Sequence, residues 1–425
     1  MKRRAFLQAL ALAYAAGCRR ETSRKDGRTV ATLWFSYGGK NREVLLDLVK
    51  RFNAVQSSVL VEATFQGDYF EALAKLRTAL AAKAAPTFSH VVGEVVPYLA
   101  EANVLEPLDD YEGAKAMALV PALAQSGAYL RDRNGAHRAL VAIPFNRSTP
   151  IMYLNGSILE KEGLKAPLTW DELRDTARAL TRKGDDARWG YEVPISWWFW
   201  VAMVGQAGGT LMSDDGDPTL GGEAGEKALA FWQRLVHEDK VMRPPPGRDY
   251  NAWQATNQDF LAGKAAITWT STAFLRYLEE NARFPVVAAN LPRDVRPAVP
   301  TGGTFFTVLR QAPREEKEAA WSFLRWMCEP DQTIEWATRT GYLPITEPAI
   351  RRLRETGYYA KHPNDEVALT QLAYVEPWPW ATELFRIQRD VVEPRLERAV
   401  FDGSNARTVM SEARAVARAR VARSR

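Results

Sequence analysis

Hydrophobic and polar positions along the chain change period at regular intervals. Val30 to Phe35 is a short apolar run of strand length, Glu43 to Phe52 repeats its apolar positions at helical spacing, and Val59 to Phe65 is strand-like again. A helix over Tyr69 to Ala82, with Leu73, Leu76 and Leu80 near one face, leads to a short strand at Phe88 to Val92 and a helical turn at Val95 to Leu99. Strands alternating with helices predict parallel βαβ units, whose ligands sit beyond the C-terminal ends of the strands.

A second α/β region begins near Pro150. Ile151 to Leu154 reads as a strand, and Thr169-Trp170-Asp171-Glu172 opens a helix through Leu180, with Thr169 as N-cap and Glu172 completing a capping box. Gly222 to His237 reads as another helix, and a tryptophan-rich stretch lies between the two. Phe260 to Trp269 gives a helix end, a C-cap at Gly263 and a further strand. No internal repeat is visible. The fold class is α/β in two lobes, with the chain passing between them more than once.

The first eighteen residues follow a different pattern. Lys2, Arg3 and Arg4 precede Phe6-Leu7 and an Ala/Leu-rich run that ends at Gly17, too short for the roughly 20 residues of a bilayer-spanning helix. This reads as an export signal. The arginine pair resembles a twin-arginine signal and Ala15-Ala16-Gly17-Cys18 resembles a lipobox, which makes Cys18 the expected lipidation site and new N-terminus. Residues 19–28 are polar, as a tether between membrane and folded body would be.

The 425 residues are 46% hydrophobic and 25% charged, which describes a soluble globular chain rather than a membrane bundle. Subtracting the leader's three cations lowers the formal charge of +5 to about +2, so nucleic acid is not an expected partner. The arginines from Arg414 to Arg425 fall on an Ala-rich helix and read as a solvated face. With only Cys18 and Cys328 there is no disulfide framework, and Cys328 follows Trp321, Phe323 and Trp326 as a buried, inert thiol.

Catalytic and metal-binding patterns do not emerge. His90, His137, His237 and His362 stand far apart, and neither a Gly-x-Ser-x-Gly elbow nor a Gly-Lys-Ser/Thr loop occurs. The acidic pairs Asp109-Asp110, Asp185-Asp186 and Asp214-Asp215 read as solvated turns. No cofactor is expected, and the chain is read as a non-enzyme.

Two longer stretches carry a resemblance. Pro144-Phe145-Asn146-Arg147-Ser148-Thr149-Pro150, followed by Tyr153 and Asn155, is similar to the Pro-Phe-Asn-x-Ser-Thr-Pro motif of the periplasmic sn-glycerol-3-phosphate-binding proteins. Those form a branch of the family 1 extracellular solute-binding proteins that feed ABC importers. Thr340-Gly341-Tyr342-Leu343-Pro344-Ile345-Thr346 is similar as well, and shorter matches lie in the same order, among them Arg51-Phe52-Asn53, Gln66-Gly67-Asp68-Tyr69 and Gly302-Gly303.

The resemblance implies a two-lobed type II periplasmic binding fold, each lobe a mixed β-sheet flanked by helices. The expected lobes are 29–147 with 268–318 and 148–267 with 319–425, joined by a hinge. It implies ligand contacts at Tyr69, Glu94, Ser148, Ser271, Gly303, Tyr342 and Arg389. Such a set makes chemical sense: a phosphate wants donors, which the Arg389 guanidinium, the Ser and Tyr hydroxyls and the Gly303 N–H provide, while Glu94 suits the hydroxyls of a glycerol end.

Within the tryptophan-rich stretch the family reads Gly-Trp-x-x-Trp after a Gly-Tyr pair. Here Trp198 aligns with the second Trp and Ile195 with the first, so Trp197 and Trp198 are the expected aromatic walls for a polyol. The implied function is capture of sn-glycerol-3-phosphate or a glycerophosphodiester by an exported, lipid-anchored monomer that delivers it to the membrane subunits of an importer. An oligosaccharide-binding protein of the same fold is the alternative. A remoter one is an envelope glycoside hydrolase that pairs Glu94 with an acid from the other lobe.

Overall fold

The computed structural model describes residues 21–131, 136–184, 187–244 and 249–424. The expected leader, Cys18, Asp185 and Asp186 lie outside the described residues.

Three parallel strands open the first lobe: β1 (Arg28–Phe35), β2 (Val59–Phe65) and β3 (Phe88–Val92). Helix α1 (Gly39–Val55) buries Val44, Leu45, Leu48 and Phe52 at the helical spacing seen in the sequence. Helix α2 (Tyr69–Ala81) starts at a complete capping box: Asp68 Oδ1 accepts from the backbone N–H groups of Phe70 and Glu71, both at 2.8 Å, and Asp68 N donates to the Glu71 carboxylate at 3.2 Å. That box fixes Tyr69 and Phe70 at the first turn of the helix.

After β4 (Ile143–Pro144) the chain crosses to a second sheet. Its strands are β5 (Pro150–Asn155), β6 (Trp189–Glu192), β7 (Ala265–Ser271) and β8 (Val286–Ala289), in the order β8–β5–β7–β6. β5 runs antiparallel to both neighbours, and β7 runs parallel to β6. The chain then returns to β9 (Thr304–Val308), which lies antiparallel between β3 and β4.

The lobe boundaries differ from the expected ones. Strands β7 and β8 hydrogen-bond within the second sheet rather than the first, although Leu275 and Leu278 between them pack in the first core. Conversely, α7 (Arg314–Met327), α8 (Pro330–Thr340) and α9 (Glu347–Glu355) bury Trp321, Phe323, Trp336 and Leu353 in the first core, where the Phe52 and Phe323 rings meet edge-on at 5.1 Å. Helix α3 (Trp170–Leu180), α4 (Trp197–Gln206), α5 (Glu223–Gln233), α10 (Glu393–Asp402) and α11 (Ala406–Ser424) build the second core, and α6 (Asp249–Leu261) lies on β7. An amphipathic helix covers whichever apolar sheet is near, and its periodicity does not say which.

Local signals also shift in detail. Thr169 caps α3 by accepting from Glu172 N at 3.2 Å, but the Glu172 carboxylate accepts from Leu168 N rather than Thr169 N, so the box is offset by one residue. Cys328 is buried, and burial pushes its thiol up to about 12. Among the described residues no group of three or more His, Cys, Asp or Glu could hold a metal, and no helix is long and apolar enough to cross a membrane.

Candidate ligand cleft

A cavity of about 480 Å³ lies between the two cores, and eight of the nine residues expected to contact ligand line it: Tyr69, Glu94, Ser148, Trp198, Ser271, Gly303, Tyr342 and Arg389. They arrive from separate places in the fold. Tyr69 comes from the capped start of α2, Glu94 from the 3-10 turn Gly93–Val95 after β3, and Ser271 from the end of β7. Arg389 sits in a π-helical stretch, Ile387–Val392, ahead of α10.

Trp197 is the exception. Its side chain is fully buried in the second core, stacked on Trp378 at 6.1 Å and tilted against Trp200 at 5.6 Å. Consecutive residues on a helix point about 100° apart, so when Trp198 faces the cavity Trp197 faces the core. Trp198 instead packs beside Trp253, centroids 5.7 Å apart, and against Gly302, where an added Cβ would lie 2.6 Å from the indole.

Arg389 has two neighbours at once. Nη1 lies 3.2 Å from the Glu393 carboxylate one turn on, and the guanidinium carbon stands 4.1 Å from the centroid of Phe70. Glu393 and Glu397 also line the cavity, so carboxylates outnumber the guanidinium in its wall.

Glu94 titrates well above an ordinary carboxyl. Removal from water pushes it up to about 7, with Glu393 adding to the rise, while its own backbone N–H and Arg147 pull the other way. Ser271 Oγ accepts from Ala273 N at 3.1 Å, which leaves that hydroxyl a proton to donate.

Two residues inside the Pro144–Pro150 motif hold this wall together, and sequence reasoning passed over both. Arg147 is fully buried: Nη1 donates to Gly303 O at 2.8 Å, Nη2 donates to Thr301 Oγ1, and the guanidinium stacks 4.3 Å from the Phe305 centroid. Desolvation brings its guanidinium down to about 10, and Glu94 is the largest charge opposing that fall. Its backbone carbonyl also accepts from Leu343 N at 2.9 Å, which ties down the loop that carries Tyr342. Asn146 Oδ1 accepts from Thr304 N at 2.6 Å, and Nδ2 donates to the Tyr69 and Tyr342 hydroxyls, each at 3.3 Å. Their position between motif residues was the available signal.

Gly303 needs to be glycine on two counts. Its φ is +86°, and a Cβ there would fall 1.8 Å from the carbonyl oxygen of Asn146. The first and second crossings meet here, Gly302 N donating to Ser148 O at 2.7 Å and Ser148 N to Gly302 O at 3.3 Å.

Residues 47–363 match the bacterial extracellular solute-binding protein family. The sn-glycerol-3-phosphate-binding periplasmic protein UgpB of Escherichia coli K12 is 25% identical over 374 residues, which cover 84% of this chain and 83% of that protein. The UgpB of Salmonella typhimurium is 25% identical over 376 residues with the same coverage. Among solved structures, UgpB from Mycobacterium tuberculosis in complex with glycerophosphocholine has a TM-score of 0.80 at 24% identity, covering 92% of this chain and 98% of that one. Maltose-bound MalE3 of T. maritima has a TM-score of 0.77 at 20% identity, covering 91% and 98%. These neighbours share the type II periplasmic binding fold, and both relatives and neighbours are solute-binding proteins rather than enzymes. The chain therefore belongs to the bacterial extracellular solute-binding protein family and is an ABC solute-binding protein.

Proposed function

We propose that this chain captures a glycerol phosphate ester, sn-glycerol-3-phosphate or a glycerophosphodiester, and delivers it to the membrane subunits of an ABC importer. The observation that carries this is one cavity lined by Arg389, the hydroxyl-bearing residues Tyr69, Ser148, Ser271 and Tyr342, and Glu94. The donors suit phosphate oxygens, and Glu94 accepts from glycerol hydroxyls. Charge favours the diester of the two. A phosphate monoester carries about −1.5 to −2 at neutral pH, a diester about −1, and Arg389 already shares its charge with Glu393. A small cationic head group, such as that of the glycerophosphocholine in the mycobacterial complex, would meet Glu393, Glu397 and the Phe70 and Trp198 rings.

The presence of Trp198 and Trp253 side by side in the same wall favours a second reading, an oligosaccharide ligand. Calorimetric titration with sn-glycerol-3-phosphate, glycerophosphocholine and maltose separates the two. Tight maltose binding without ester binding would sink the first.

On either reading the protein is exported and works as a monomer, its cleft closing as ligand bridges the lobes. Cys18 is the proposed lipid anchor. Metabolic labelling with a radioactive fatty acid should mark the wild type and leave Cys18→Ser unlabelled.

A further inference from the structure

The start of α1 opens on the same cavity. Ser36, Gly38 and Asn41 line the wall there, none of them among the residues expected to contact ligand. Gly38 is the N-cap and offers no side-chain cap, and the first turn, Gly39-Lys40-Asn41-Arg42, has no acidic residue. The first N–H groups of this 17-residue helix have no partner within it, and its dipole favours an anion at that end. The side chains add positive charge instead. Lys40 pairs with Glu280, but Arg42 has no ion pair among the described residues, its guanidinium lying 5.0 Å over the Phe65 ring. The space in front is open: a Cβ on Gly38 or Gly39 would meet nothing within 4 Å.

An independent observation points the same way. Ser36 is 6% exposed, and its hydroxyl has no hydrogen-bond partner among the described residues. Protein does not seal that oxygen, so the side it leaves open is the cavity that Ser36 lines. The Asn41 amide lines the cavity and is likewise unpartnered. Opposite, the Lys40–Glu280 pair brings up the helix Leu275–Asn281, and Phe274 at its head stacks with Trp253 at 6.2 Å to complete the wall. Asp68 on the same wall already accepts from the N–H groups of Phe70 and Glu71.

We infer that the α1 N-terminus, Ser36 and Asn41 form a second anion subsite, which takes an acidic group on the alcohol part of the ligand. This rests on the glycerol phosphate reading, in which Arg389 and Glu94 take the phosphate and the glycerol and the α1 end is left for the alcohol. The ligand class narrows to glycerophosphodiesters whose alcohol bears a carboxylate or a second phosphate. The helix dipole and Arg42, rather than the Ser36 hydroxyl, select for charge; the hydroxyl and the Asn41 amide add donors to it. Glycerophosphoserine has such a carboxylate, together with an ammonium that suits Glu393 and Glu397.

Glycerophosphoserine and glycerophosphoethanolamine differ by that one carboxylate, and calorimetric titration of the purified protein with each tests the subsite. Wild type should bind the serine ester about tenfold more tightly, the worth of one charge-assisted contact at a helix N-terminus. Asn41→Asp places a carboxylate of the protein's own in the first turn, where it suits the dipole. This variant should melt no lower than wild type and lose the preference, the two esters binding within about twofold of each other. Ser36→Ala should cut the preference to about threefold. Equal affinities in wild type, tighter binding of the ethanolamine ester, or a preference that survives intact in Asn41→Asp overturns the inference. If Asn41→Asp does not fold, Ser36→Ala decides, and full retention of the preference there overturns it. Wild type that binds sn-glycerol-3-phosphate or glycerophosphocholine but not the serine ester also overturns it, while the glycerol phosphate reading stands. Protein that binds none of these esters sinks that reading and the inference with it.

Discussion

Arg389 stands over the ring of Phe70 with its guanidinium carbon 4.1 Å from the centroid, joining the π-helical stretch of the second lobe to the first turn of α2 in the other. The contact lies across the cleft, and Glu393 holds the same guanidinium from behind at 3.2 Å. A cation already desolvated on one face by an aromatic ring loses less water when an anion arrives. Arg389→Ala should therefore weaken phosphate-ester binding at least about a hundredfold, and Arg389→Lys about tenfold, because the ammonium keeps the charge but not the planar fork. Calorimetry reads both, and undiminished ester affinity in Arg389→Ala refutes the role.

Glu94 gives binding a pH dependence. Its carboxyl, held up to about 7 mainly by desolvation, accepts from glycerol hydroxyls more strongly, and with both oxygens, once it is ionised. Ester affinity should rise between pH 6 and pH 8, and Glu94→Gln should flatten that rise, costing about tenfold at pH 8 and little at pH 6. Stability without ligand moves oppositely. The folded-state value lies above the ordinary one of 4.5, so between the two the folded protein holds a proton the unfolded chain has released, and stability falls as pH rises through that window. Glu94→Gln should accordingly melt higher than wild type at pH 8 while binding more weakly. A variant that loses both together would point to a packing role instead.

The two glycines where the crossings meet should separate stability from binding. Gly303→Ala places a Cβ at φ +86° and 1.8 Å from a backbone oxygen that cannot swing aside, and should cost about 1–3 kcal/mol of stability. Gly302→Ala meets the Trp198 indole at 2.6 Å, a side chain that can shift into the cavity. Its expected signature is weaker ligand binding with a smaller fall in melting temperature, read by calorimetry and thermal melts on the same samples.

Much of the fold was legible because its strands are short apolar runs and its helices amphipathic, signals that depend only on near neighbours. Lobe membership was not. Trp321 and Phe323 look the same in sequence whether α7 covers the first sheet or the second, and β7 pairs with β5 across more than a hundred residues of chain. At the candidate site, the resemblance pointed to Ser148, Tyr342 and Arg389, which line one cavity. It could not say which of Trp197 and Trp198 faces the cavity, which follows from the helical register of α4. Asn146 and Arg147 were passed over for a related reason. A polar pair between Phe and Ser reads as an exposed turn, and only the meeting of two crossings buries it.

Glu192 provides a test away from the cleft. It ends β6 opposite Thr268 of β7, is fully buried, and neither carboxylate oxygen has a hydrogen-bond partner among the described residues. The buried hydroxyls of Thr256 on α6 and Thr270 on β7 also lack one. Burial pushes the Glu192 carboxyl up to about 8, with repulsion from Asp259 adding to it and Arg243 and Lys264 opposing. Across the window from 4.5 to about 8 the folded state keeps this proton and the unfolded state does not, so stability falls with rising pH and the loss is complete above the folded value. Glu192→Gln is neutral at every pH and nearly the same shape. It should leave stability at pH 4 unchanged and raise it at pH 9 by about 1–3 kcal/mol, since no buried charge then has to form. Urea unfolding at pH 4, 7 and 9 measures both ends, and a variant that retains the wild-type pH slope would assign that slope to another group.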